Sequence, residues 1–300
     1  MKHLPTTKQL RYLVALDKYQ HFGKAAEACF VTQSAFSVAI KELETLLNVT
    51  LVDRTNRSVT VTPLGKQVVA QARLTLFDIE GLLDIAQGGQ LPLHGELKMG
   101  VIPTIAPFLL PRVLPKIRKK FPELELYLTE DLTKRIHQAL LEGELDILLL
   151  ALPYDLAQVE TQILFEDSFS LVYNKNTKLI DPENISLNKL NADNVMLLDD
   201  GHCMRDHALA ACKLKRLNKP GRFAANGLYT LIQMVNNDLG VTFVPEMAIK
   251  GGLLKNTNLA ANKTAQTGYR EIGLAWRKGS VRGEEFKLLG ETIRDAVSNW

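Results

Sequence analysis

The sequence predicts an α/β protein that begins with an all-α winged helix-turn-helix, and three observations carry this reading. Apolar residues recur at helical spacing from residue 6 to 47 and then give way to a short alternating stretch, SVTVT, at 58–62. An apolar seam stepping by three and four residues runs from Val69 to Ala86. From Gly95 onward, strand-like and helix-like segments alternate, the pattern of an α/β domain.

A chain of 300 residues is long enough for about two domains, and 46% hydrophobic with 23% charged residues is ordinary for a soluble protein with a full core. The longest apolar run, Ile147 to Leu152, is far short of the roughly 18 residues that a membrane helix needs and reads as a buried strand. Met1 to Leu10 lacks the continuous apolar stretch of a signal peptide, so the expected location is the cytosol, with no membrane partner. Residues 1–62 hold eight Lys or Arg against five Asp or Glu, so the whole net charge of +3 sits there and the rest of the chain is neutral. A basic end on a neutral body suits a phosphate-facing module. Three cysteines, Cys29, Cys203 and Cys212, are too few for a secreted disulfide framework, so any disulfide is expected to be transient or regulatory.

The first helix spans TTKQLRYLVALDKY (6–19), with Leu10, Leu13 and Val14 on its apolar side. After Gln20-His21 comes FGKAAEAC (22–29), a short helix whose small Ala25 and Ala26 let another helix cross closely. Phe30-Val31-Thr32 is the turn, and QSAFSVAIKELETLL (33–47) is the third helix. Its Phe36, Ile40, Leu43 and Leu47 form one core-facing stripe, and Thr32 is placed to cap its N-terminus. Gln33, Ser34, Ser37 and Lys41 fall on another face, at the end where a recognition helix meets base edges and phosphates. Gln can pair with adenine, and Ser with either base type. Leu51-Val52 and residues 58–62 read as a small hairpin, the wing, which would set Arg54 and Arg57 beside the phosphate backbone. The same pattern is compatible with a three-helix bundle that binds no nucleic acid. Cys29 reads as a small core residue.

Pro63 suits a first helical turn, and from there Val69, Ala72, Leu76, Ile79, Leu83 and Ala86 form the seam, ending at Gly88-Gly89. The seam calls for a partner, most simply the same helix of a second subunit, although packing on its own domain would also cover it. A dimer would carry two reading heads and favour a near-symmetric DNA site. These patterns divide the chain into a reader (1–62), a linker and dimerisation helix (63–90) and a regulatory domain (91–300).

In the regulatory part, strand candidates lie at 96–102, 124–129, 146–152, 169–174, 195–200, 241–245 and 270–276, with helices at 132–145, 228–239 and 284–299 between them. The crossovers favour parallel pairing, and such sheets bind ligands outside the carboxyl ends of their strands. Thr104, after the first of these strands, is expected to cap a helix or to point into that cleft.

The segment LLDDGHCMRD (197–206) reads as a strand end, a glycine turn and a helix start. Cys203 would then sit at a helix N-terminus, where free N–H groups and the helix dipole favour a thiolate. His202 and Arg205 would add positive charge or donors, and Asp206 would oppose them. Cys212 follows nine residues later, about 13–14 Å along a continuous helix, whereas a disulfide needs Cα atoms within about 7 Å. The two are either unrelated thiols or a pair whose bonding requires the intervening chain to unwind.

The run AAEACFVTQSAFSVAIKELETLLNVTLVDRTNRSVTVTPLG (25–65) resembles the start of LysR-type transcriptional regulators. It carries the Ala-Ala pair, the Thr-Gln-Ser start of the reading helix, Ile-Lys-x-Leu-Glu within it, and Leu-Val-x-Arg and Thr-x-x-Gly in the wing. Ala35-Phe36 stands where many members carry Pro, so the preferred DNA sequence does not follow from the resemblance. The family's sensing half is similar to a periplasmic binding protein. That implies two α/β lobes, about 93–165 with 268–300 and about 166–267, around a cleft.

LLDDGHCMRDHALAAC (197–212) in turn resembles the redox segment of peroxide-sensing members of this family, and IPTIAPFLLP (102–111), Thr133 and REIGLAWRKGS (270–280) extend the likeness. The resemblance implies a peroxidatic Cys203 resolved by Cys212. It also implies a peroxide site drawn from Thr104, Thr133, His202, Arg205, Asp206 and Arg270, whose donors would orient one oxygen and stabilise departing hydroxide. Asn226-Gly227-Leu228-Tyr229 departs from the pattern of many relatives.

The expectation is a non-enzymatic regulator that binds promoter DNA and activates antioxidant genes in response to hydrogen peroxide, without metal or other cofactor. Its expected partners are duplex promoter DNA, a second subunit in a dimer that builds a homotetramer, RNA polymerase, and a thiol reductant of the glutaredoxin or thioredoxin type. Two alternatives remain: a regulator answering a small molecule in the interlobe cleft, and a thiol peroxidase.

Overall fold

The structure is a computed structural model that describes residues 3–54, 59–86, 92–187, 190–199, 201–211, 225–263 and 268–298. Arg57, Gly88-Gly89 and Cys212 lie outside the described residues, as do the side chains of Arg54, Leu83 and Ala86. By contacts the chain forms two units, one built on residues 1–91 and one on most of the remainder.

In the first unit, α1 (Thr7–Tyr19), α2 (Phe22–Ala28) and α3 (Gln33–Leu47) are the three expected helices. Thr6 and Gln9 form a reciprocal capping box at α1, and the Thr32 hydroxyl accepts from Ala35 N (3.3 Å) to cap α3, as its sequence position implied. The helices meet on Phe36, which is fully buried, stacked on Tyr12 at 4.7 Å and edge-on to Phe22 at 6.0 Å. Ala25 and Ala26 are buried where α2 crosses its neighbours, while Leu47 is only half-buried. Cys29 is half-buried at the edge of this core.

β1 (Val52–Arg54) and β2 (Val59–Val61) pair antiparallel as the wing hairpin. Glu44 anchors it by accepting from Leu51 N (2.8 Å) and Val52 N (3.1 Å). The helix α4 (Pro63–Ala86) follows at once. The Thr62 hydroxyl accepts from Gly65 N (2.9 Å) and donates to Thr50 O (3.0 Å), fixing the corner. A β-carbon on Gly65 would lie 2.2 Å from Leu51 O, so the close approach of wing and helix admits only glycine.

The start of α4 is packed within the first unit. Val69 is buried in the same core as Phe36, and Ala72 is buried too, so the first two seam positions are already covered within this unit. Leu76 and Ile79 are half-buried. The first turns of α4 thus pack on the core formed by α1, α2 and α3.

The second unit holds a seven-stranded mixed sheet. Its strands are β3 (Gly95–Val101), β4 (Leu124–Glu130), β5 (Ile147–Leu152), β6 (Val159–Asn174), β7 (Thr242–Pro245), β8 (Leu259–Asn262) and β9 (Tyr269–Arg277), in the order β4-β3-β5-β9-β6-β7 with β8 paired to β6. β3 pairs parallel to β4 and β5, but every other named pairing is antiparallel, so the parallel pairing that the crossovers favoured holds only around β3. β9 returns from the end of the chain to lie between β5 and β6, and that return reverses the direction. β5 is buried along its whole length, as a continuous apolar run in a central strand must be.

β6 is a single 16-residue strand, pairing with β9 over Val159–Ser168 and with β7 and β8 beyond it. The lobe boundary expected at 165/166 falls inside it. The strand expected at 195–200 is not formed among the described residues there, where only single bridges occur, Val195 to Val241 and Leu198 to Ala225.

The helices are α5 (Ala106–Lys120), α6 (Thr133–Leu141), α7 (Cys203–Ala211), α8 (Leu228–Asn236), α9 (Glu246–Lys250) and α10 (Gly283–Val297). Thr104 caps none of them: α5 begins at an Ile105 cap with no side-chain hydrogen bond, and the Thr104 hydroxyl is engaged elsewhere.

Candidate redox site and nucleic-acid interface

Cys203 is the first residue of α7 and is 5% exposed. Gly201, at φ +101°, turns the chain into the helix in a conformation that side-chain-bearing residues rarely adopt. This turn brings Gly201, His202, Cys203 and Met204 against Ile102, Pro103 and Thr104 after β3 and against Leu132 and Thr133 at the start of α6. Together they enclose a cavity of about 10 Å³, room for one molecule of roughly water's size.

The wall is mostly apolar, with three buried polar side chains. Thr133 is 1% exposed and its hydroxyl makes no hydrogen bond of ordinary geometry among the described residues, yet it lies close enough to the thiol to favour its ionised form. Thr104 is held from behind by Arg270, which is itself 1% exposed. Arg270 donates through Nη1 to Thr104 Oγ1 (2.9 Å) and through Nη2 to Thr104 O (3.1 Å). Its Nε and Nη2 donate to Asp167 Oδ2 (3.1 and 3.0 Å), and Asp167 Oδ1 accepts from Met247 N (2.9 Å). The buried guanidinium is thus paired and makes four hydrogen bonds, which makes its burial tolerable and fixes its position.

Electrostatics correct two expectations. Burial pushes the Cys203 thiol above its ordinary value; the Thr133 hydroxyl and the Arg270 charge pull it back, and Asp206 adds to the rise. The resting group is therefore a thiol, because desolvation outweighs the helix-terminus effect that favours a thiolate. Burial likewise lowers the pKa of His202, only partly offset by the Asn226 backbone and Asp199, so His202 is neutral at pH 7 and supplies no positive charge.

Of the expected peroxide residues, Thr104, Thr133 and His202 line the cavity, and Arg270 stands behind Thr104. Arg205 is half-buried and Asp206 exposed, and neither is in the cavity wall. The sequence reading passed over Leu132, Met204 and His207. His207 lies one turn after Cys203, is buried, and places Nε2 2.8 Å from Pro153 O, tying α7 to the end of β5. The four-residue spacing from Cys203 was the available signal. Among the described residues no three His, Cys, Asp or Glu side chains gather as a metal site, and no helix is long and apolar enough to cross a membrane.

On the first unit, Gln33, Ser34 and Lys41 are exposed along one side of α3, and Ser37 is half-buried. The Thr32 hydroxyl is committed to the cap and lies 3.2 Å from Ser34 Oγ. The wing follows at once, with Arg54 ending β1. The sequence reading also missed Asp17, which is buried on α1 and paired with Lys66 and Arg73 (2.9 Å) of α4. This triad fixes α4 to the reader.

Residues 7–66 match the family described as bacterial regulatory helix-turn-helix protein, lysR family, and residues 91–298 match the LysR substrate binding domain. The HTH-type transcriptional regulator EstR of Acinetobacter baylyi is 39% identical over 295 residues, covering 98% of each chain. A probable hydrogen peroxide-inducible genes activator of Streptomyces viridosporus is 37% identical, covering 98% of this chain and 95% of the relative. Among solved structures, a full-length OxyR variant from Pseudomonas aeruginosa superposes with a TM-score of 0.82 at 33% identity, covering 97% of this chain and 95% of that one. A reading helix followed by a wing, a regulatory domain behind them, and matches across nearly the whole length leave one assignment: the chain belongs to the LysR family of helix-turn-helix transcriptional regulators.

Proposed function

We propose that this regulator responds to hydrogen peroxide through Cys203 and activates genes of the antioxidant response. The observation that carries the reading is the cavity: a buried thiol opens onto a space of about 10 Å³ beside an unpartnered Thr133 hydroxyl. Metabolite-sized ligands need about 300 Å³ or more, so the thiol is accessible only to a very small polar molecule. The name of the S. viridosporus relative, a probable hydrogen peroxide-inducible genes activator, agrees with that ligand.

The chemistry runs in three balanced steps. Cys203 loses its proton, and the thiolate attacks one peroxide oxygen. The O–O bond breaks, leaving a sulfenic acid and hydroxide, which takes up the released proton as water. Thr104 and Thr133, with Arg270 behind, orient the peroxide and stabilise the departing hydroxide. Cys212 then attacks the sulfenic sulfur, forming the disulfide and releasing a second water. A dithiol reductant of the glutaredoxin or thioredoxin class returns both thiols and becomes oxidised itself. Because α7 runs unbroken from Cys203 to Ala211, closing the bond requires the helix to unwind. That change is the signal to the reader, where Thr32, Gln33, Ser34, Ser37, Lys41, Arg54 and Arg57 meet the DNA. The acting species is a dimer assembling to a tetramer that engages RNA polymerase in the bacterial cytoplasm. It is a regulator rather than an enzyme.

The test is DNA footprinting of the full-length protein on a duplex it has itself selected from a random library, reduced and peroxide-treated. A footprint that changes with peroxide and stays unchanged in Cys203→Ser supports the reading; an identical footprint in both states refutes it.

A second reading, a regulator answering a small metabolite, is favoured by one observation: a pocket of about 320 Å³ lined by Glu166, Glu246, Lys250 and Arg294, among others. Under it, Cys203→Ser would leave the ligand response intact.

A further inference from the structure

One aromatic side chain in the helix-turn-helix has no use in the domain's own core. After α2 the backbone closes with Phe30 N donating to Glu27 O (3.0 Å) and Val31 N donating to Ala26 O (3.0 Å), and Phe30 itself is left-handed at φ +57°. This helix ending ordinarily places glycine at the left-handed position, because a β-carbon there is strained. Its neighbours Cys29 and Val31 pack against the reader core, but Phe30 is 95% exposed.

The other non-glycine residues with positive φ sharpen the contrast. Among the described residues, Gln20, Asn48, Gln158, Asp238 and Asn256 are polar, and the one other apolar residue, Leu93, is 1% exposed, so burial offsets its strain. Phe30 has neither glycine's freedom nor Leu93's burial. An outlier that stabilises nothing in the free protein points to a contact made outside it.

We propose that Phe30 is a DNA contact, its ring lying against the deoxyribose wall of the groove that α3 enters. The proposal rests on the reading of α3 as the recognition helix. Phe30 precedes Gln33 by three residues, a span of at most about 10 Å. With the start of α3 in a major groove about 12 Å wide, the chain three residues earlier is held at the groove's edge, facing a sugar–phosphate strand. Deoxyribose presents C–H surface there, which a ring covers without charge. The contact adds affinity without releasing counterions.

The experiment compares the full-length parent with Phe30→Gly and Phe30→Leu, using duplexes that the parent enriches from a random library and unselected duplexes as controls. Thermal melting, affinity and its salt dependence are read for each. Phe30→Gly is expected to melt at the same or a higher temperature, since glycine relieves the backbone strain. It should nonetheless bind the selected duplex roughly fivefold or more weakly. The salt slope stays unchanged, because no phosphate-neutralising charge is lost, and Phe30→Leu falls between the two. Affinity within twofold of the parent overturns the proposal. So does a melting temperature that falls together with affinity, which would make the ring a structural element. A changed oligomeric state with DNA affinity preserved overturns it as well, assigning the ring to a second copy. A parent that enriches no duplex refutes the DNA-reading assignment itself, and the proposal with it.

Discussion

Thr133 is the residue where structure and chemistry pull in opposite directions. Its buried hydroxyl makes no well-formed hydrogen bond among the described residues, which costs stability, while its position beside Cys203 serves the thiol's ionisation. Thr133→Val is therefore expected to leave the melting temperature unchanged or raise it, with a stability gain of up to about 1–2 kcal/mol. The same variant should react with peroxide about tenfold or more slowly, as read by quenched alkylation of Cys203. Destabilisation with an unchanged rate would mean that the hydroxyl is structural. The raised Cys203 pKa gives a second outcome. Since the thiolate is the attacking species and the resting group is protonated, the peroxide rate should climb with pH through neutrality and beyond the ordinary thiol value of 9.0. Stopped-flow rates across pH check this, and a rate already flat at pH 6–7 would mean a preformed thiolate. The Cys203 environment was only half legible in the sequence. The helix start at Cys203 was visible, whereas the desolvation that reverses its effect depends on Ile102, Leu132 and Met204, which only the fold brings together.

At the scale of elements, the proposed Cys203–Cys212 bond would require α7 to come apart, and His207 ties α7 to the end of β5. Burial lowers the His207 pKa and the Arg270 charge lowers it further, against the raising effects of Pro153 O and Asp206. The unfolded chain takes up this proton near 6.5 and the folded one only at lower pH. Its contribution to stability is therefore complete above 6.5 and is lost as pH falls below it towards the folded-state value. His207→Gln keeps a donor for Pro153 O without the titration, so acid melting curves should fall less steeply than in the parent. His207→Leu leaves that carbonyl without its donor and should cost about 1–3 kcal/mol at pH 7. Equal acid sensitivity in parent and His207→Gln would remove His207 from the account. The elements the sequence concealed have physical reasons. α5 contains Pro111 and Pro115, which mask its helical pattern, yet both sit on its exposed side while Leu109, Val113 and Ile117 are buried. The first half of β6, VETQILFE, is half polar without strict alternation and pairs with β9 on a partly exposed surface, so it lacks the apolar signature of Phe169–Asn174. α1, α2, α3 and the wing were legible because their caps, spacing and apolar stripe are local properties.

The whole molecule joins a rigid reader to a regulatory domain whose sensitive segment is helical in the described residues. The reader is fixed internally by Phe36, by the Gly65 corner and by the Asp17 triad, none of which depends on a ligand. In the regulatory unit, the Cys203 thiol starts α7 and faces Thr104, which the paired, buried Arg270 holds from behind. Under the proposed switch, α7 would move while the Asp167–Arg270–Thr104 network, which rests on β6, β9 and the segment after β3, stays in place. Limited proteolysis should therefore cut within 203–212 after peroxide treatment and leave the β-strands intact. The most direct test of the account is thiol mapping of the full-length protein by mass spectrometry, reduced and after low peroxide. The account predicts that Cys203 and Cys212 both become protected from alkylation and appear as one linked peptide pair, while Cys29 stays alkylatable. Cys203 and Cys212 both remaining alkylatable after peroxide would contradict it.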